Sequence, residues 1–188
     1  MANLRDIRNR ISSVNSTQQI TKAMKMVAAA KLRKAQERMT KTRPYAAKIQ
    51  NVVGRLADSG SISSPLVEKS ETNQNLLFIV VGSDRGLCDF STQLEAGTVS
   101  LVTIGKKATA HFKKRSYNVV ESFPGFFDTI EYDPTSAIMD SATKDFVDGV
   151  YDEVYIVFNE FKSVIAQNRK IDKVLPIDPN SFGVKSED

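Results

Sequence analysis

The sequence predicts an α/β protein in two parts, a long N-terminal coiled-coil helix followed by a doubly wound, mostly parallel domain. Three observations carry this. Apolar residues recur at alternating steps of three and four from Leu4 to Leu56, which is a heptad pattern. Short continuous apolar runs, such as Leu76–Val81 and Val99–Ile104, then alternate with segments of helical spacing, as buried parallel strands and their crossover helices do. Charge divides at the same place. The stretch up to Ala57 holds 13 basic against 2 acidic residues, or +11, and the rest carries −7 of the +4 total.

The first segment, 1–57, reads as one helix over 3–57. Its seam runs Leu4, Ile7, Ile11, Val14, then weakens at Gln18, Thr21 and Lys25 before resuming at Ala28 and Leu32. No glycine precedes Gly54 and the only breaker is Pro44, which predicts a kink or local unwinding near Arg43. At 1.5 Å per residue such a helix is about 80 Å long. It cannot fold onto so small a domain, and its apolar stripe requires a partner, because an isolated amphipathic helix is marginal in water. The stretch Ile20–Ala30 is rich in Ala and Met. Small residues permit close approach and methionine adapts to changing contacts; the plain alternative is that these are good helix formers in a coiled coil.

Residues 58–74, rich in Ser, Gly and Asn with Pro65, read as a linker. The domain proper is 75–178, and 179–188 is a polar, ragged end. Within the domain the pattern predicts strands at Leu76–Val81, Val99–Ile104, Tyr117–Val120, Glu153–Phe158 and Lys170–Ile177. Helices are expected over Lys106–Arg115, with Ala108, Ala110 and Phe112 inward, and over Thr135–Gly149, with Ile138, Met139, Ala142, Phe146, Val147 and Val150 on one side. The alternation is Rossmann-like. About 16 residues separate the first two strands, which leaves room for a short crossover helix at best.

Composition excludes several classes. No run of 18 apolar residues occurs, so no helix is expected to cross a membrane, and the N-terminus lacks a secretory h-region. A single cysteine, Cys88, and a single histidine, His111, provide neither a disulfide framework nor a zinc cluster. Cys88 and His111 as a nucleophile–base pair have nothing in their surroundings to support them. Asp145, Asp148, Asp152 and Glu153 read as a solvated surface. No catalytic residue, cofactor site or metal site is expected.

Gly82-Ser-Asp-Arg-Gly-Leu-Cys88 follows a strand, where α/β proteins often bind ligands. It is neither G-x-G-x-x-G nor a phosphate loop ending in Gly-Lys-Ser/Thr. The reading is a structural turn or subunit contact built on Gly82, Asp84, Arg85 and Gly86, with Asp84 and Arg85 able to pair. The basic helix admits a nucleic-acid reading. A zipper-type binder, however, separates its basic region from its heptads, and here the two are interleaved. The Arg-rich N-terminus also has the flavour of a transit peptide, but it is too long and too regular.

Leu4-Arg-Asp-Ile-Arg-Asn-Arg-Ile11, Thr17 to Arg33, Arg43-Pro-Tyr45 and Gly82 to Cys88 together resemble the gamma subunits of F-type ATP synthases. Weaker echoes are Ile104-Gly-Lys-Lys107, Tyr151–Asn159 and Lys173-Val-Leu-Pro-Ile177. The resemblance implies a non-catalytic central shaft. Its two long terminal helices would form an antiparallel coiled coil inside a ring of alpha and beta subunits, and its α/β domain would bind the epsilon subunit and the c ring. Proton-driven rotation of that ring would cycle the beta subunits through their states. Lys22, Met24 and Lys25 would face the beta subunits. The chain would meet the membrane only through partners and would not bind nucleic acid. It would sit on the cytoplasmic face of a bacterial inner membrane, the alternatives being the mitochondrial matrix or chloroplast stroma face. Against the family's pattern, the second long helix and part of the segment after Cys88 are expected to be missing.

Overall fold

The structure, a computed structural model, describes residues 3–58, 64–67, 75–84, 98–127, 132–163 and 166–178. The chain divides into two compact units, one ending at Arg55 and the other beginning at Leu56, and each is described by itself.

Helix α1 spans Leu4–Asp58, 55 residues. It runs through Pro44 without interruption, so the unwinding expected at Arg43 does not occur. Proline removes one amide donor, and the bonds on either side hold the helix together. Thr17, Thr21, Thr40 and Thr42 each turn their hydroxyl back to the carbonyl four residues earlier, which satisfies the hydroxyls within the helix and leaves their methyl groups outward. The seam residues Leu4, Ile7, Ile11, Val14, Ile49 and Leu56 are exposed along the helix.

The second unit holds a five-stranded sheet of order β3-β2-β1-β4-β5. Its strands are β1 Asn75–Val81, β2 Thr98–Ile104, β3 Asn118–Phe123, β4 Glu153–Phe161 and β5 Gln167–Leu175. The first four run parallel, and β5 pairs antiparallel with β4. Helix α2 (Lys106–Lys114) links β2 to β3, and α3 (Tyr132–Val147) links β3 to β4. Chain order reverses direction across the sheet between these links, which sends the helices to opposite faces. Leu77, Ile79, Val102, Ile104 and Val154 pack with Ile138, Ala142 and Phe146 of α3. Phe78, Val80 and Leu101 pack with Phe112 of α2. Strand β1 is thus buried on both faces, which is why its sequence is an unbroken apolar run. Each such side chain contributes about 1.5–3 kcal/mol on burial.

Several expectations are corrected. Ala110 faces solvent while Ala108 and Phe112 are buried. Val147 and Val150 are half exposed: Val147 stands about 100° round the helix from the stripe of Ile138, Ala142 and Phe146, and Val150 lies past the end of α3, after the turn at Gly149. The helix begins at Tyr132, before Pro134, since proline is tolerated in a first turn. Asp152 and Glu153 are not solvated surface. Asp152 is buried, its Oδ2 accepts the Asn75 N–H at 2.9 Å, and its own N–H reaches the Asn75 carbonyl at 2.8 Å. Glu153 accepts hydrogen bonds from the Lys173 ammonium and the Tyr155 hydroxyl, and the Tyr155 ring stacks on Phe78 with centroids 5.0 Å apart.

Candidate interaction surfaces

Two regions were singled out by sequence, and neither has the geometry of a reaction centre. The first lies on α1. Lys22, Met24 and Lys25 are all exposed, and Met24 retains 67% of its surface. Lys22 and Lys25 border a shallow hollow with Ser13, Val14, Thr17, Gln18 and Thr21. Because Thr17 and Thr21 spend their hydroxyls on backbone carbonyls, the hollow is more apolar than its residue names suggest. Its rim carries lysine ammoniums, so the surface offers an apolar floor beside positive charge. Met24, one position from the seam residue Lys25, adds a flexible apolar group to the same stretch.

The second region is the turn after β1. Gly82 and Asp84 are described; Arg85 and Gly86, with Cys88, lie outside the described residues. Gly82 donates to the Ile104 carbonyl at 2.8 Å, which continues the β1–β2 ladder past the end of β1. Asp84 accepts the Lys106 N–H at 2.8 Å and the Gly125 N–H at 2.9 Å on the same Oδ1. The backbone N–H of Phe127 also bears on this carboxylate. Burial alone would raise its pKa, but these N–H groups and the Lys106 charge outweigh burial and hold it below the ordinary value. Asp84 therefore ties three loops with backbone donors; its expected pairing with Arg85 lies outside the described residues.

Gly105 is the residue that sequence reasoning missed here. Its φ is +102°, and a Cβ would stand 2.9 Å from the Gly82 carbonyl oxygen. The close approach lets Lys107 donate to the Ser83 carbonyl at 2.9 Å. Helix α2 has no side-chain cap of its own, so the β1 loop caps it instead, with Asp84 at its positive end. The signal available was a glycine directly after a strand and before a helix.

His111 lies on α2 with Nδ1 3.0 Å from the Arg115 guanidinium. Partial burial, then the Arg115 charge, push its pKa below the usual value. Among the described residues no group of three His, Cys, Asp or Glu side chains could hold a metal ion, and no helix is long and apolar enough to cross a membrane.

A family model described as ATP synthase matches residues 3–188. The chain is 40% identical over 204 residues to the ATP synthase gamma chain of Chlorobaculum tepidum, covering 99% of this chain and 70% of that protein. It is 40% identical over 200 residues to the gamma chain of Chloroherpeton thalassium, covering 96% of this chain and 65% of that one. With the gamma chain of Salinibacter ruber the identity is 38% over 200 residues, covering 97% and 65%. The chain thus spans about two thirds of the length of the curated relatives it matches. Among solved structures, the central stalk and c-ring structure of the Tetrahymena thermophila mitochondrial ATP synthase contains a similar chain, with TM-score 0.61, 22% identity, and coverage of 90% of this chain and 80% of that one. The rotor structure of the Euglena gracilis enzyme in rotational state 1 contains another, with TM-score 0.54, 18% identity, and coverage of 95% and 64%. At these identities the structural likeness concerns the fold.

Proposed function

The chain belongs to the ATP synthase gamma chain family, and from that premise we propose that it is the central-stalk rotor subunit, coupling proton-driven rotation of a c ring to conformational cycling of catalytic beta subunits. One observation carries the reading most: a 55-residue helix that exposes its apolar seam and, over residues 1–57, carries +11 of charge. Such a helix is stable only inside a sleeve of partners. The expected sleeve is the ring of alpha and beta subunits, and the α/β unit is the expected platform for the epsilon subunit and the c ring.

Torque in this reading passes through shape and charge. Lys22 and Lys25 attract acidic loops of the beta subunits, and Met24 packs against them. Exposed opposite charges contribute about 0–1 kcal/mol per pair, which suits contacts that must form and release in turn. Nucleotide chemistry belongs to the beta subunits, and this chain supplies no catalytic group, cofactor or metal. It sits peripherally at the cytoplasmic face of a bacterial inner membrane, held there by its partners.

Reconstitution tests the reading. The chain is mixed with alpha and beta subunits, the complex is purified by size, and ATP hydrolysis is assayed. One copy co-eluting with three alpha–beta pairs and raising hydrolysis is the expected result. Absence of association, with salt-dependent DNA binding in its place, would overturn it. Met24→Lys in the reconstituted complex should impair coupling more than melting temperature; a change in melting temperature alone assigns Met24 to coiled-coil packing.

A further inference from the structure

Strand β3 does not pair evenly with β2. Leu101 stands opposite Val119 and Val102 opposite Glu121, so Val120 is an extra residue, a β-bulge. In a regular strand Val120 and Glu121 would point to opposite faces. The bulge turns both to the α3 side, where they line one cavity. Bulges re-aim side chains in this way, often beside functional sites.

The cavity measures about 280 Å³. Its floor is apolar, formed by Leu77, Val102 and Ile138, and its polar groups are Glu121, Asp145 and Ser141. The two carboxylates come from different elements, β3 and α3, and share one opening over a hydrophobic floor. Among the described residues neither forms an ion pair, and no lysine or arginine lines the cavity. Val120, at its edge, remains half exposed.

We propose that this cavity is a docking pocket for an arginine side chain presented by a protein partner. The volume is smaller than the ~300–1,000 Å³ of small-molecule sites and suits a single long side chain. An arginine stem lies well on an apolar floor while its head stays at a polar rim. Its planar fork of donors addresses carboxylates from two elements at once, which the point charge of lysine does less well. The inference does not depend on the rotor reading, since it rests on the bulge, the floor and the unpaired carboxylates.

The test is an NMR titration of the full chain with acetyl-Gly-Arg-Gly-amide. The control is the same peptide with neutral citrulline in place of arginine. Saturable shifts are expected at Val120, Glu121, Ala142 and Tyr151, with the citrulline peptide weaker by about tenfold or more, the scale of a charge-assisted pair. The E121Q/D145N double variant should lose a similar factor. If that variant does not fold, the comparison of the two peptides on the unaltered chain decides the matter alone. Equal affinity of the two peptides, shifts confined to other surfaces, or tighter binding of spermidine at the cavity would each overturn the assignment.

Discussion

Asp84 caps a helix that starts at Lys106: its Oδ1 takes the Lys106 N–H at 2.8 Å across a sequence separation of 22. The same atom holds Gly125 at 2.9 Å, so one carboxylate fixes the ends of β1 and β3 and the beginning of α2. Asp84→Ala should lower the stability of the α/β unit by about 1–3 kcal/mol, the cost of leaving such donors unmet. Asp84→Asn keeps an acceptor oxygen and should cost less. Urea unfolding followed by the amide signals of α2 and β3 ranks the two.

Gly105 and Gly149 both have positive φ, at +102° and +75°, yet they should respond differently to alanine. A Cβ at Gly149 meets nothing within 4 Å, whereas at Gly105 it meets the Gly82 carbonyl at 2.9 Å. Gly149→Ala should cost about 1–2 kcal/mol of backbone strain. Gly105→Ala adds a backbone clash and should cost about 1–3 kcal/mol more. Thermal melts of the two variants side by side check the difference.

Acid should weaken the α/β unit through Glu153. Burial raises its pKa, but hydrogen bonds from Lys173 and Tyr155 and the Lys173 charge more than compensate, leaving it below the ordinary 4.5. A depressed carboxylate contributes stability that is complete above its unfolded pKa and is lost as pH falls through the folded value. Denaturant midpoints should therefore drop most steeply below about pH 5, after a shallower decline from about pH 6.5 contributed by His111, whose pKa is also lowered in the folded chain. Glu153→Gln should lower the neutral-pH midpoint and flatten that drop; Asp84, also held below its ordinary 3.8, adds slope in the same acid range. At the other extreme, burial and then Glu153 push Tyr155 up to about 12. Its contribution is complete below pH 10 and is lost as pH rises toward that value, which ultraviolet titration of the phenolate reads directly.

Lys22→Ala and Lys25→Ala should each change coupled ATP hydrolysis in the reconstituted complex by less than about fivefold, given about 0–1 kcal/mol per exposed pair. The double variant should show the sum and a weaker dependence on salt. Steady-state hydrolysis at two ionic strengths measures both. A single lysine whose loss stops coupling would mean one indispensable bond, contrary to the distributed contact proposed.

The fold was legible where one physical effect dominates. Leu76–Val81 is apolar at every position because β1 is buried on both faces, and the heptads of α1 follow from a single stripe. Gln167–Arg169 fall outside the strand expected at Lys170–Ile177 because an exposed edge strand need carry no apolar alternation; this part of β5 exists through its pairing with β4, as Asn159 opposite Arg169 illustrates. Asp152 and Glu153 looked like surface because their partners, Asn75 and Lys173, lie far away in sequence. Among the turn residues, Gly82 and Asp84 announced themselves through the family motif, but Asp84's donors could not be foreseen from its neighbour Arg85. The bulge at Val120 leaves no trace in the order Val119-Val120-Glu121, since it is a property of register with β2.

The position of β1 has a mechanical consequence. This strand is hydrogen-bonded on both sides and parallel to both neighbours. A pull along its axis loads both ladders in shear, so many bonds resist together. An edge strand such as β5, pulled away from its single neighbour, would peel open one bond at a time. In chain order, β1 is the first strand after α1. Tension transmitted along the backbone from the helix therefore enters the sheet at the strand that yields last, and single-molecule pulling from the N-terminus should find this unit stiffer than pulling from its C-terminal side.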